Sequence, residues 1–171
     1  MQNNIVKRYS VINVRIEEKP SFKIVGRKIW ISGQENEQFG VFWEESHKNG
    51  LINKLRELRN NTPGLITGSY VFGVSCVEKD PSDRAFDFFI ATESDIENSG
   101  GDLENYIVPA SKWAIFSNRG DLPMSLIDAE MYAFMEWLPV SEYKHANAPE
   151  LEAYPANDDK LVEFWLPVDN K

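Results

Sequence analysis

The side chains with the clearest chemical use stand together in one short segment, ELEAY at positions 150–154. The two-residue period of a strand puts Glu150, Glu152 and Tyr154 on one side and Leu151 and Ala153 on the other. Two carboxyls and a phenol on one face make either a solvated surface or, against an apolar wall, a set of groups with altered acidity. Desolvation raises a glutamate's pKa and prepares it as a general base or as an anion awaiting a cation. Glu152 is the candidate for both roles, with Glu150 expected in solvent. A tyrosine, Tyr154 or Tyr132, would orient a water for that base. Tyr132 lies with Asp128 and Glu136 at intervals of four, a polar helical stripe that is either solvated or the rim of a groove. Trp165 beside Glu163 is out of place on a wet surface, and Trp113, Tyr70, Phe72 and Trp43 are further large rings. Each is either core or the wall of a ligand site, where stacking or cation–π attraction contributes about 0.5–2 kcal/mol per contact.

Other chemistries are excluded. His47 and His145 lie far apart in sequence with no carboxylate at ligand spacing, so no metal site is expected. Cys76 is the single cysteine, which rules out an internal disulfide and paired-cysteine zinc motifs. The glycine-containing stretches SGQENEQFG and NSGG lack the strand-to-helix placement and the lysine of a phosphate loop, so no nucleotide or other cofactor is expected. A net charge of −9 argues against a direct nucleic-acid partner. No stretch approaches the roughly 18 apolar residues of a spanning helix, and the N-terminus has no apolar signal core, so the expected location is cytoplasmic. The acidic surface would also suit a protein partner.

The elements that must carry these residues follow from hydrophobic period. The run VINVRIEEKPSFKIVGRKIWI is extended and interrupted at Pro20. Apolar residues at helical spacing run from Phe39 to Leu58 with Gly50 inside the pattern, and Asn60, Asn61, Pro63 and Gly64 stop it. SYVFGVSCVEK then puts Tyr70, Phe72, Val74 and Cys76 on one strand face, and RAFDFFIATE is the next strand. After an acidic loop from Ser94 to Glu104 the same order returns. SKWAIFSNRG is a strand with Trp113 and Ile115 on one side, and Ile127, Met131, Phe134 and Leu138 form a helix that Pro139 ends. ELEAY and LVEFWLPV close the unit, Trp165 lying opposite Val162, Phe164, Leu166 and Val168. The predicted fold is α+β, a duplicated strand–helix–strand–strand repeat on an antiparallel sheet, within one domain whose halves span about 11–92 and 111–168. Gly26, Gly73 and Gly120 mark a bulge, a close approach or a turn. An open sheet edge on each half would let two copies pair as a homodimer.

The segments PSFKIVGRKIWISG, SYVFGVSCV, WAIFSNRG, EWLPVSEYKHANAPELEAYP and EFWLPV together resemble the GyrI-like small-molecule-binding, or AraC-type effector-binding, domain over nearly the whole chain. That resemblance implies two repeats framing a groove for amphipathic, often cationic small molecules, two helices at its sides and a glutamate of the LE-x-Y strand, here Glu152, within it. On this reading Glu152, Trp113, Trp165, Tyr70, Phe72, Trp43 and Glu136 contact ligand. The ten or so residues before the first strand leave no room for the helix-turn-helix of the family's transcription regulators, so a stand-alone sensor or sequestering protein is expected. The alternative that the resemblance offers is a hydrolase of electrophilic cyclopropane-bearing compounds with Glu152 as base. A protein-partner module is the third reading.

Overall fold

The computed structural model describes residues 12–32, 37–59, 66–97 and 101–171. Its strands are β1 (Asn13–Lys19), β2 (Phe22–Ile31), β3 (Phe72–Cys76), β4 (Phe86–Glu93), β5 (Glu104–Val108), β6 (Ser111–Arg119), β7 (Tyr143–His145), β8 (Glu150–Ala153) and β9 (Leu161–Asn170). They form one antiparallel sheet in the order β1-β6-β9-β8-β3-β4-β2-β5, with β7 beside the far end of β9. The duplicated order is visible in the pairing. In one half β4 lies between β2 and β3, and in the other β9 lies between β6 and β8. The second strands, β3 and β8, pair with each other and join the halves.

The edge strands are exchanged. β1 leads into β2 through Pro20 and Ser21 but pairs with β6, while β5 leads into β6 through Pro109 and Ala110 but pairs with β2. Proline has no N–H to donate and stiffens each corner, which favours a change of partner over a hairpin. Two-residue links between strands at opposite ends of the order bring those ends together, so the sheet curls. Its inner face is filled from both halves by Phe22, Ile24, Phe72, Val74, Trp113 and Trp165. β5 falls at the end of what reads in sequence as an acidic loop; a short edge strand with three exposed positions carries little apolar signal.

The helices cover the other face. α1 (Glu37–Lys48) and α2 (Leu51–Leu58) pack Phe42, Leu51, Ile52 and Leu55 over Val25, Ile31, Phe88 and Ile90. They are two helices where the sequence pattern suggests one, because Gly50 takes φ 84°, a left-handed value that ends a helix and costs glycine nothing. Residues 60–64, expected to stop this helix, lie outside the described residues. α3 (Met124–Met131) continues into a π-helical turn, Tyr132–Trp137, and a short 3-10 turn, Leu138–Val140. Ala129 and Ala133 are fully buried against Ala114, Phe116, Phe164 and Leu166, whereas Met131 is 41% and Met135 67% exposed. The helix is therefore rolled away from the orientation that the large apolar residues suggest.

Candidate functional site

α1, through Trp43, and α3, through Glu130, both reach the neighbourhood of the β3–β8 ladder that joins the halves. In that ladder Gly73 faces Glu152, Val74 faces Leu151 and Ser75 faces Glu150. Leu151, Ala153, Phe72 and Val74 point into the curl of the sheet, so the alternate residues Glu150, Glu152, Gly73 and Ser75 point toward the helices. Gly73 is indispensable to the geometry. A Cβ built there would lie 2.3 Å from Glu152 Oε1 and 2.4 Å from its Cγ, so the glutamate lies flat across the neighbouring strand only because that strand has no side chain at this point.

Glu152 accepts a hydrogen bond from the Tyr154 hydroxyl. Trp43 of α1 packs edge-on against the Tyr154 ring, centroids 5.6 Å apart. Its indole N–H is buried without a bonded acceptor and lies on the side of the Glu152 carboxyl, whose acidity it helps to retain. Burial nevertheless dominates, pushing the Glu152 pKa up to about 7. Glu130 of α3 is raised to about 8, first by burial and then by the charges of Glu152 and Glu150, with the Arg84 charge acting in the opposite direction. Burial and the adjoining acids hold the Tyr154 phenol neutral, well above its usual range. No lysine or arginine pairs with Glu152 or Glu130 among the described residues.

Glu150, two residues along the same face, is in a different state. It is buried, contrary to the expectation of a solvent position, accepts bonds from Arg84 at 3.3–3.4 Å and shares a hydrogen bond with His145 Nε2 at 2.8 Å. Phe134, one turn beyond Glu130, stacks on the His145 ring with an interplanar angle of 11°. Arg84 lies over the Phe86 and Phe134 rings at 5.1 and 6.0 Å. The π-helical turn holds Phe134 in this position, and such turns widen a helix and re-aim its side chains.

The remaining candidates lie elsewhere. Trp113 and Trp165 are fully buried on the opposite face of the sheet, edge-on to each other at 5.7 Å, with the Trp165 indole bonded to Glu163 at 3.3 Å. Phe72 is buried on that same face. The ring count in the sequence does not distinguish a groove wall from the interior of a curled sheet, and here the curl claims all three. Tyr70 is 38% exposed under the Arg59 guanidinium, Tyr132 packs on Phe116 beneath α3, and Glu136 is exposed. None of these three is among the contacts around Glu152. Glu130, Phe134, Arg84 and His145 were not legible as site residues. The Asp128–Tyr132–Glu136 stripe is two positions out of phase with Glu130 and Phe134, and Arg84 comes from a loop. A cavity of about 510 Å³ opens apart from these residues, beside the β5–β6 turn, with Lys19, Lys112 and Asp169 in its lining and none of Glu130, Glu150 and Glu152.

The model of the family described as integron-associated effector binding proteins (Cass2) matches residues 15–168. The chain belongs to this family. Membership makes it a small-molecule effector binder in the family's general sense. Three solved structures share the effector-binding fold. One is a protein named SAV2435, bound to tetraphenylphosphonium, at 19% identity and TM-score 0.76 over 92% of this chain and 94% of that one. The second is the Vibrio cholerae integron cassette protein, at 20% identity and TM-score 0.67 over 91% and 95%. The third is a Staphylococcus aureus protein described as a transcription regulation protein, at 18% identity and TM-score 0.67 over 92% and 99%. No curated protein sequence matches the chain. Among the described residues no helix is long and apolar enough to cross a membrane, and no group of histidine, cysteine and acidic side chains could hold a metal.

Proposed function

We propose that this protein binds hydrophobic, planar cations in the groove between α1 and α3, as a sensor or sequestering protein. One observation carries the reading: Glu152 is an acid set among aromatic rings, bonded to a phenol and to no cation. Such a carboxylate is costly to ionise until a positive charge arrives, so the site discriminates against neutral ligands, which would leave it unpaired. Trp43 and Tyr154 supply faces for stacking and for cation–π attraction. The fold it shares with SAV2435, which holds the organic cation tetraphenylphosphonium, supports the same reading.

Calorimetry with planar dye cations and their neutral isosteres tests it. Cations are expected to bind at least tenfold more tightly, and Glu152→Gln to remove that margin by weakening only the cations. Trp43→Ala is expected to weaken the cations about fivefold. Equal binding of both sets, or an unchanged margin in Glu152→Gln, would refute the reading.

A second reading, hydrolysis of an electrophilic cyclopropane, is favoured by Glu130. Two acids that act on each other and are both raised toward neutral pH can divide the roles of acid and base. Glu152 would take a proton from water as its oxygen bonds to a ring carbon, the strained bond breaks, and Glu130 or a tyrosine returns a proton to the product. Mass spectrometry of a cyclopropane-bearing alkylator incubated with native protein and with Glu152→Gln distinguishes turnover from binding.

A further inference from the structure

Resting on the groove reading, we infer that the preferred ligands are zwitterions, planar cations that also carry a carboxylate or like anion, because the groove has a positive end at Arg84–His145–Glu150 beside its negative end at Glu152.

The positive end follows from counting protons. His145 Nδ1 lies 2.6 Å from the carbonyl oxygen of Ala146, and a carbonyl only accepts, so Nδ1 carries a hydrogen. The other ring nitrogen lies 2.8 Å from Glu150 Oε2. For that contact to be a hydrogen bond a second proton must lie between the two, on the imidazole or on the carboxyl. Either way the His145–Glu150 pair is neutral as a unit, and Arg84 gives the three-residue cluster a net positive charge, which is felt at Glu130. The Arg84 side chain is 46% exposed, and although both of its terminal nitrogens reach Glu150, those contacts are long, 3.3–3.4 Å, so an incoming anion competes with them for the fork. Phe86 and Phe134 hold its plane at the groove end.

The two ends are close. Glu150 and Glu152 alternate on one strand face, which separates them by about 7 Å. A flat molecule whose cation lies by Glu152 and the Trp43 ring therefore brings an anion on its far side to the Arg84 fork. Arginine matches a carboxylate bidentately, which a lysine in its place would not do. A plain cation gains nothing from Arg84 and is repelled by it.

Rhodamine 110, a zwitterion, and its methyl ester, a cation of the same shape, test this by fluorescence titration at pH 7.5. The zwitterion is expected to bind about fivefold or more tightly in the native protein. Arg84→Gln is expected to bring the ratio to about one, weakening the zwitterion and strengthening the ester, and Arg84→Lys to give an intermediate ratio. Glu152→Gln should weaken both dyes. Circular dichroism melts of each variant confirm folding, and Arg84→Lys retains the charge should Arg84→Gln unfold. Preference for the ester in the native protein, or a ratio unmoved by both Arg84 variants, overturns the inference and leaves the cation site standing. Insensitivity of both dyes to Glu152→Gln, or binding of neither, overturns the groove reading itself and this inference with it.

Discussion

Gly26→Ala and Gly73→Ala are expected to fail in opposite ways, although an added Cβ comes to within 2.3 Å of a neighbour at both positions. At Gly26 the neighbours are the carbonyl oxygen of Ile90 and the Cα and Cβ of Ala91, atoms of the adjacent strand that cannot rotate aside. Relief requires the β2–β4 ladder to open inside a packed core, so Gly26→Ala should destabilise the fold by about 3 kcal/mol or more. For a chain of this size that lowers the melting temperature by about 6–12 °C. At Gly73 the neighbours are Cγ, Cδ and Oε1 of Glu152, a side chain that can swing away. Its movement breaks the Tyr154 bond and relieves the buried charge, while alanine restricts the unfolded strand. Gly73→Ala should therefore stay within about 1 kcal/mol of native stability and lose cation binding by about thirtyfold or more, as a displaced carboxylate would. Thermal melts paired with calorimetry measure both. Cation binding that survives Gly73→Ala would mean that the Glu152 position over β3 is irrelevant to ligand.

Stability is expected to fall and cation affinity to rise over the same pH interval. Glu152 and Glu130 are pushed up to about 7 and about 8, against about 4.5 in the unfolded chain. Between those limits the folded protein binds more protons than the unfolded one, so stability decreases as pH rises from about 4.5 to 8 and levels off above. With both acids partly shielded rather than isolated, the decrease is on the order of 3 kcal/mol. The double variant Glu130→Gln, Glu152→Gln should melt higher than native protein at pH 8 and no higher at pH 4.5. A cation binds the ionised form and drives a proton off. Its apparent affinity at pH 6, where only about a tenth of Glu152 is ionised, should be about tenfold below that at pH 8. The two acids titrate as a pair, so the midpoint belongs to both. Calorimetry in buffers of different ionisation enthalpy should register the released proton. Affinity independent of pH across this range would place the cation away from both carboxyls.

Much of the architecture was legible in the sequence because it depends on local period. The alternation in SKWAIFSNRG and LVEFWLPV determined which side chains share a face, and those assignments hold: Trp113 and Ile115 lie together on the inner face, and Phe164, Leu166 and Val168 lie together beneath α3. The repeated order of strands and helices determined an antiparallel α+β fold. In ELEAY the period alone put Glu150 and Glu152 on one side of a strand.

Which face meets the helices, and which acid is left without an ion pair, was decided only by tertiary structure. The period says that Trp165 and Phe164 are opposed but not that the curl of the sheet swallows the first. That depends on β1 and β5 exchanging partners across about a hundred residues of sequence. The roll of α3 depends on Ala129 and Ala133, which let the helix sit close to the sheet, a gain in packing that outweighs the exposure of Met131 and Met135. That roll brings Glu130 and Phe134, rather than Tyr132 and Glu136, toward Glu152, Glu150 and His145. Glu150 and Glu152 are the same residue type two positions apart, and composition cannot tell them apart. The difference lies in distant partners. Arg84 and His145 reach Glu150 from a loop and from the end of β7, and Gly73, Tyr154 and Trp43 enclose Glu152. Sequence period fixes direction along one strand, but the acidity of a carboxyl is set by whatever charges and solvent the rest of the chain brings within a few ångströms of it.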